Sequence, residues 1–168
     1  MKRGAAVKSR SYTYWVVIIS LFLAYLLAIV PLPDWAMNWR PQWVLMVVFY
    51  WTMALPYRVG LGFAWAAGLL FDVLEGTMLG LNALTLLIVA YVTLSLHQRL
   101  RMYNPIQQSG LLFILALVAL GLSHWLRVIS GQIEPVDSMY LLAAFSSAAI
   151  WPALFSLLRS LRRGFINN

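Results

Sequence analysis

Asp72 is the residue with most to explain. It stands in an apolar run, with Gly68-Leu69-Leu70-Phe71 before it and Val73-Leu74 after it. Where apolar surroundings mean lipid, a carboxylate needs a charged partner or a wet cavity. It then serves as a proton or ligand site, or as half of an internal ion pair. Two residues of suitable charge, His124 and Arg127, occur at a similar depth in a later apolar run. Counted by helical rise from the inner ends of their segments, Asp72 lies roughly 20 Å up and the other two roughly 24–27 Å up. The structural pair is the favoured reading, with either Arg127 or His124 as the partner. Asn82 and Thr85 add polar groups to the same half, so binding of a solute is the competing reading.

Other chemistry fares worse. Gly121-Leu122-Ser123-His124 resembles the GxSx of intramembrane serine proteases. Neighbours on a helix point about 100° apart, so His124 is poorly placed to serve Ser123, and a serine nucleophile needs a base oriented towards it. The second histidine, His97, falls at the opposite membrane face. Two histidines at opposite depths and scattered acids offer no metal cluster, and no Gly-rich phosphate loop of the required spacing occurs. The chain has no cysteine, which excludes disulfides and thiolate sites. No cofactor is expected.

The elements that must position these residues are membrane helices. Of 168 residues 62% are hydrophobic and 10% charged, and the mean hydropathy is +0.81. A soluble domain is about half apolar and a quarter charged. The pattern predicts an all-α polytopic membrane protein, one integral domain over 1–168, with six spans near 14–30, 41–55, 59–74, 79–96, 107–129 and 138–158. The first run could be read as a signal peptide, but it is long and no small-x-small cleavage site follows. It is expected to be retained. Trp35 and Trp39 suit a membrane–water interface, and Pro41 suits the first turn of a helix. The second and third spans are short, about 22 Å of helix against a core of roughly 30 Å. Either the bilayer is thinned here or the loop after Leu74 dips into the protein. Pro152 is expected to kink the sixth.

On the third span Gly60, Ala64 and Gly68 recur every four residues, ending at Asp72. Such a ridge of small residues lets membrane helices approach closely. Glu75-Gly76-Thr77 then breaks the run, and Gly80 opens the next. Charge fixes the expected orientation. Lys2, Arg3, Lys8, Arg10, Arg58, Arg99, Arg101, Arg159, Arg162 and Arg163 all fall at one face if the N-terminus is inside, leaving only Arg40 and Arg127 of the twelve elsewhere. Positive-inside asymmetry therefore places both termini in the cytoplasm. It also accounts for the net charge of +7 without nucleic acid.

Taken in order, the basic tail, Pro31-Leu32-Pro33-Asp34, the segment RPQWVLMVVFYWTMALPYRVG and the segment GLLFDVLEGTMLGLNAL resemble the MreD family of bacterial rod-shape-determining proteins. The resemblance covers nearly the whole chain. It implies a non-enzymatic scaffold of cell-wall elongation in the bacterial inner membrane. The implied partners are MreC, the actin-like MreB, the elongation glycosyltransferase and its class-B penicillin-binding transpeptidase. The family is also similar in architecture to the membrane substrate-binding subunits of energy-coupling vitamin transporters, which makes a solute-binding subunit the alternative. The family has no agreed catalytic residues, and none is expected here. Asp72, Arg127, His124, Asn82, Gly60, Ala64, Gly68, Gly76 and Gly80 stand as structural or interaction candidates.

Overall fold

The computed structural model describes residues 3–33, 39–131 and 140–166. Among them are six helices: α1 (Arg3–Ile29), α2 (Trp43–Ala54), α3 (Leu61–Glu75), α4 (Leu81–Leu100), α5 (Pro105–Ile129) and α6 (Tyr140–Ile166). Three stretches, Leu81–Leu100, Pro105–Ile129 and Leu141–Gly164, are long and apolar enough to cross a membrane, while Tyr14–Ile29 and Trp43–Ala54 are shorter apolar helices. Asp34, Trp35 and the loop with Glu134, Pro135 and Asp137 lie outside the described residues.

Helix α1 starts earlier than the expected span and is helical through the basic tail, and α6 continues past residue 158 through Arg159, Arg162 and Arg163. Lys and Arg are good helix formers, so a helix leaving an apolar layer need not stop where its charge begins. Pro105 opens α5, and the Gln107 side chain reaches back to the Asn104 N–H at 3.2 Å.

Helix α2 is the hub. It packs against α1, α4, α5 and α6, and around it α1, α3, α4, α5 and α6 touch in turn, with α6 closing back onto α1. Every residue from Val44 to Ala54 is buried. A helix that is apolar all round belongs inside, and WVLMVVFYWTMA is such a sequence. Its length, about 18 Å, is possible because its ends meet protein. The Gln42 N–H donates to Ser147 Oγ on α6 at 2.9 Å. At the other end Arg101 donates to the Met53 and Ala54 carbonyls at 3.3 and 2.7 Å, where a cation also complements the helix dipole. Irregular backbone at membrane depth is tolerated when buried in protein in this way.

Polar ties fix the ring to the hub. Trp51, fully buried, donates its indole N–H to Ser20 Oγ on α1 at 2.8 Å. Trp151 on α6 donates to Gln108 Oε1 at 3.3 Å, and Gln108 in turn donates to the Leu100 and Tyr103 carbonyls. Tyr25 on α1 donates to the Ala67 carbonyl of α3 at 2.7 Å, and its ring stacks on Phe71 at 5.8 Å. Phe49 meets Trp151 edge-on at 5.0 Å. In a setting where lipid is as apolar as leucine, such bonds and close packing replace the hydrophobic effect between helices.

Candidate functional site

The hairpin of α3 and α4 builds the site around Asp72. Helix α3 ends in Gly76, whose φ of 66° is left-handed and whose N–H bonds the Asp72 carbonyl. Glycine adopts that conformation without steric cost. Helix α4 starts from Gly80, also left-handed at φ 104°. The two glycines turn the chain so sharply that the first amides of α4 face back onto the last turn of α3.

The Asp72 carboxylate occupies that focus, and Asp72 is fully buried. Oδ2 accepts from the Gly80 N–H at 2.8 Å and the Ala83 N–H at 3.4 Å. Oδ1 accepts from the Asn82 N–H at 2.8 Å and the Thr77 hydroxyl at 3.1 Å. The first amides of a helix have no intrahelical partners, and the positive end of the dipole favours an anion there. Four donors occupy the acceptor capacity of a carboxylate. The donors described on the carboxylate thus form a cap on α4, beside the pairing with Arg127 or His124 that the sequence suggests. Its backbone donors lie only eight to eleven residues along the chain.

Close approach makes the cap possible. A Cβ on Gly68 would lie 2.3 Å from Ala83 Cα and 2.7 Å from the Asn82 carbonyl oxygen. Ala64, Ala67 and Gly68 are buried on this face. Gly60 is the exception to the expected ridge: it precedes α3 and a Cβ there would meet nothing within 4 Å. The small-residue face is thus Ala64, Ala67 and Gly68, because the chain turns away before reaching Gly60.

Glu75 and Asn82 sit at the mouth, where the Asn82 side-chain amide donates to Glu75 Oε2 at 3.2 Å. An open cleft of about 340 Å³ lies beside them, lined by Ala28, Ile29, Arg40, Leu74, Thr77 and Arg127 as well as Glu75. Arg127 and Arg40 are the cations whose field reaches Glu75. The two basic residues that departed from the charge asymmetry thus share one cleft with an acid. His124 is half-buried on α5, and neighbouring Ser123 lies 3.4 Å from the Thr85 hydroxyl. The space between Asn82, Thr85 and Ser123 is only about 20 Å³, room for about one water. Side chains therefore fill the space between these three polar groups. Among the described residues no group of three His, Asp or Glu side chains could hold a metal.

The sequence pointed to Asp72, Asn82, Gly68, Gly76 and Gly80, and the structure brings these five together. It leaves Gly60 outside and sets Arg127 in the cleft with Arg40. Thr77 and the amide of Ala83 were missed. The signal available for them was Gly80 itself, as a helix start whose open amides follow a buried acid.

The family model for rod shape-determining protein MreD matches residues 9–161. The rod shape-determining protein MreD of Haemophilus influenzae is 31% identical over 158 residues, which cover 94% of this chain and 97% of that protein. No solved structure matches the chain. The match runs from within α1 to within α6 and takes in the α3–α4 hairpin that Asp72 closes; the chain belongs to the MreD family of rod shape-determining proteins.

Proposed function

We propose that this chain is a non-enzymatic membrane scaffold of the cell-wall elongation machinery. It would sit in the bacterial inner membrane with six spans and both termini cytoplasmic. It would act with MreC, MreB, the elongation glycosyltransferase and the class-B transpeptidase. The observation that carries this reading is the family match over nearly the whole chain. A role in rod shape follows from the family; the particular partners rest on the resemblance.

The geometry supports a scaffold in two ways. Asp72, the residue best suited by burial to be a reacting group, has its acceptor sites taken by four structural donors. A small-molecule site encloses about 300–1,000 Å³, whereas the polar interior by Thr85 leaves about 20 Å³. What the outer end offers instead is an open cleft of mixed charge, suited to the rim of a protein contact.

Affinity purification of the tagged chain from its native membrane is the test. Co-purification of MreC and the synthases is expected, and recovery of an ATPase motor in their place would refute the scaffold. Reporter fusions after Asn168 and after Gly131 check the topology. A periplasm-dependent reporter should be silent at the first and active at the second; the reverse would invert the orientation.

A further inference from the structure

A second cavity, of about 540 Å³, opens at the opposite end of the bundle, between the C-terminal end of α2, the α4–α5 turn and the last turns of α6. Its polar lining comprises Tyr50, Arg101, Asn104, Gln108, Arg159 and Arg162. All five acids of the chain fall at 34, 72–75 and 134–137, and none lies in a segment that lines this cavity. Its arginines therefore meet no carboxylate from these segments.

Tyr50 is the telling residue. It is 1% exposed, and its hydroxyl has no hydrogen-bond partner among the described residues. Leaving a buried hydroxyl unpaired is costly, and natural structures rarely do so without a reason. The Tyr50 ring meets Phe155 edge-on at 5.7 Å. Arg159 lies over the same Phe155 ring, with its guanidinium 6.0 Å from the ring centre. The charges that act on the Tyr50 oxygen are those of Arg162, Arg159 and Arg163. Arg101 spends Nε and one terminal nitrogen on the carbonyls that end α2, which cancels the negative dipole end that would otherwise repel an anion here.

We propose that this cavity binds a phosphate group, held by the forked donors of Arg159 and Arg162 and by the Tyr50 hydroxyl, and that an anionic lipid headgroup supplies it. Guanidinium geometry matches phosphate oxygens in a two-toothed fashion, and a neutral hydroxyl donor completes the set without adding charge. Basic pockets between membrane helices on the cytoplasmic side are suited to anionic headgroups. The rim favours a lipid over a soluble anion, because Met102, 78% exposed, lines the cavity together with the arginines, where an acyl chain would meet it.

The test uses the purified full chain with equimolar phosphatidylglycerol and phosphate-free diacylglycerol of identical acyl chains, and reads bound lipid by native mass spectrometry. Wild type should retain the anionic lipid in preference by roughly tenfold, the scale of charge-assisted hydrogen bonds. Arg159→Gln/Arg162→Gln should bring the ratio close to unity, while Arg159→Lys/Arg162→Lys should keep part of it. Tyr50→Phe separates ligation from packing: it should lower the preference several-fold yet leave the Tm of the lipid-free protein unchanged or raised, since an unpaired hydroxyl is removed. Inorganic phosphate in large excess discriminates the sources. Failure to displace the lipid supports a headgroup site; displacement keeps the phosphate chemistry but overturns the lipid assignment. A wild-type ratio near unity, or a Tyr50→Phe and glutamine pair that both keep the wild-type ratio, would overturn the proposal altogether.

Discussion

Asp72→Ala offers the sharpest test of how the α3–α4 hairpin is held. The substitution strands the Gly80 and Asn82 amides, each 2.8 Å from the carboxylate, and loosens the Thr77 hydroxyl and the Ala83 amide at 3.1 and 3.4 Å. A buried donor left without an acceptor costs roughly 1–3 kcal/mol, so the two short bonds alone set a loss of about 2–6 kcal/mol. Asp72→Asn should be only partly better, because its amide keeps one acceptor and turns an NH₂ towards amides that also donate. Thermal unfolding of the purified protein measures the loss, and cell shape in a strain lacking its own copy reports the consequence. The decisive comparison is with Arg127→Ala. Since the carboxylate is occupied by backbone donors, the two substitutions should add to within about 0.5 kcal/mol. A double variant milder than Asp72→Ala would show a direct ion pair across α3 and α5, and the cap would not be the main partner of Asp72.

Gly68→Ala should destabilise by about 1–3 kcal/mol through overpacking, since its Cβ would lie 2.3 Å from Ala83 Cα, whereas Gly60→Ala meets open space and should be tolerated; equal Tm values for the two would remove the close contact. Ser20→Ala takes the acceptor from the buried Trp51 indole and should cost roughly 1–3 kcal/mol, with Ser20→Thr recovering much of it in the same unfolding assay. No recovery would mean that the hydroxyl is not what Trp51 needs.

The helices were legible in the sequence because apolar runs and their breakers are side-chain signals. Their roles were less so. That WVLMVVFYWTMA forms a helix follows from composition, but its place at the centre shows only in the absence of a polar side, and any lipid-facing helix shares much of that look. Asp72 was conspicuous, yet three of its four donors are backbone amides, which carry no residue type to read. The charges that read as a match, His124 and Arg127, lie more than fifty residues along the chain. Gly60 misled for a related reason: four-residue spacing continues on paper past the point where the helix begins. Tyr50 was hidden among aromatics suited to a membrane belt, and Arg159 and Arg162 were used up by the topology argument. Only their convergence in space marks them as a set.

The enclosure of α2 bears on how the chain is made. Synthesis runs from the N-terminus, so α2 is complete before any of α4, α5 or α6 exists to cover it. During that interval only α1 is present among the helices that pack on it. The Gln42 amide has no Ser147 to meet, and the Met53 and Ala54 carbonyls have no Arg101. A helix of 12 residues is also short for holding itself across a bilayer, where about 20 are needed. Its lasting position must therefore be settled after the later helices arrive, and the last turn of the lock comes from α6. Chains stopped at Gly131 would carry α2 with its first amide unanswered, and cellular quality control should clear them faster than the full chain. Pulse-chase of the two would show it, and equal lifetimes would mean that α2 is secured before α6 is made.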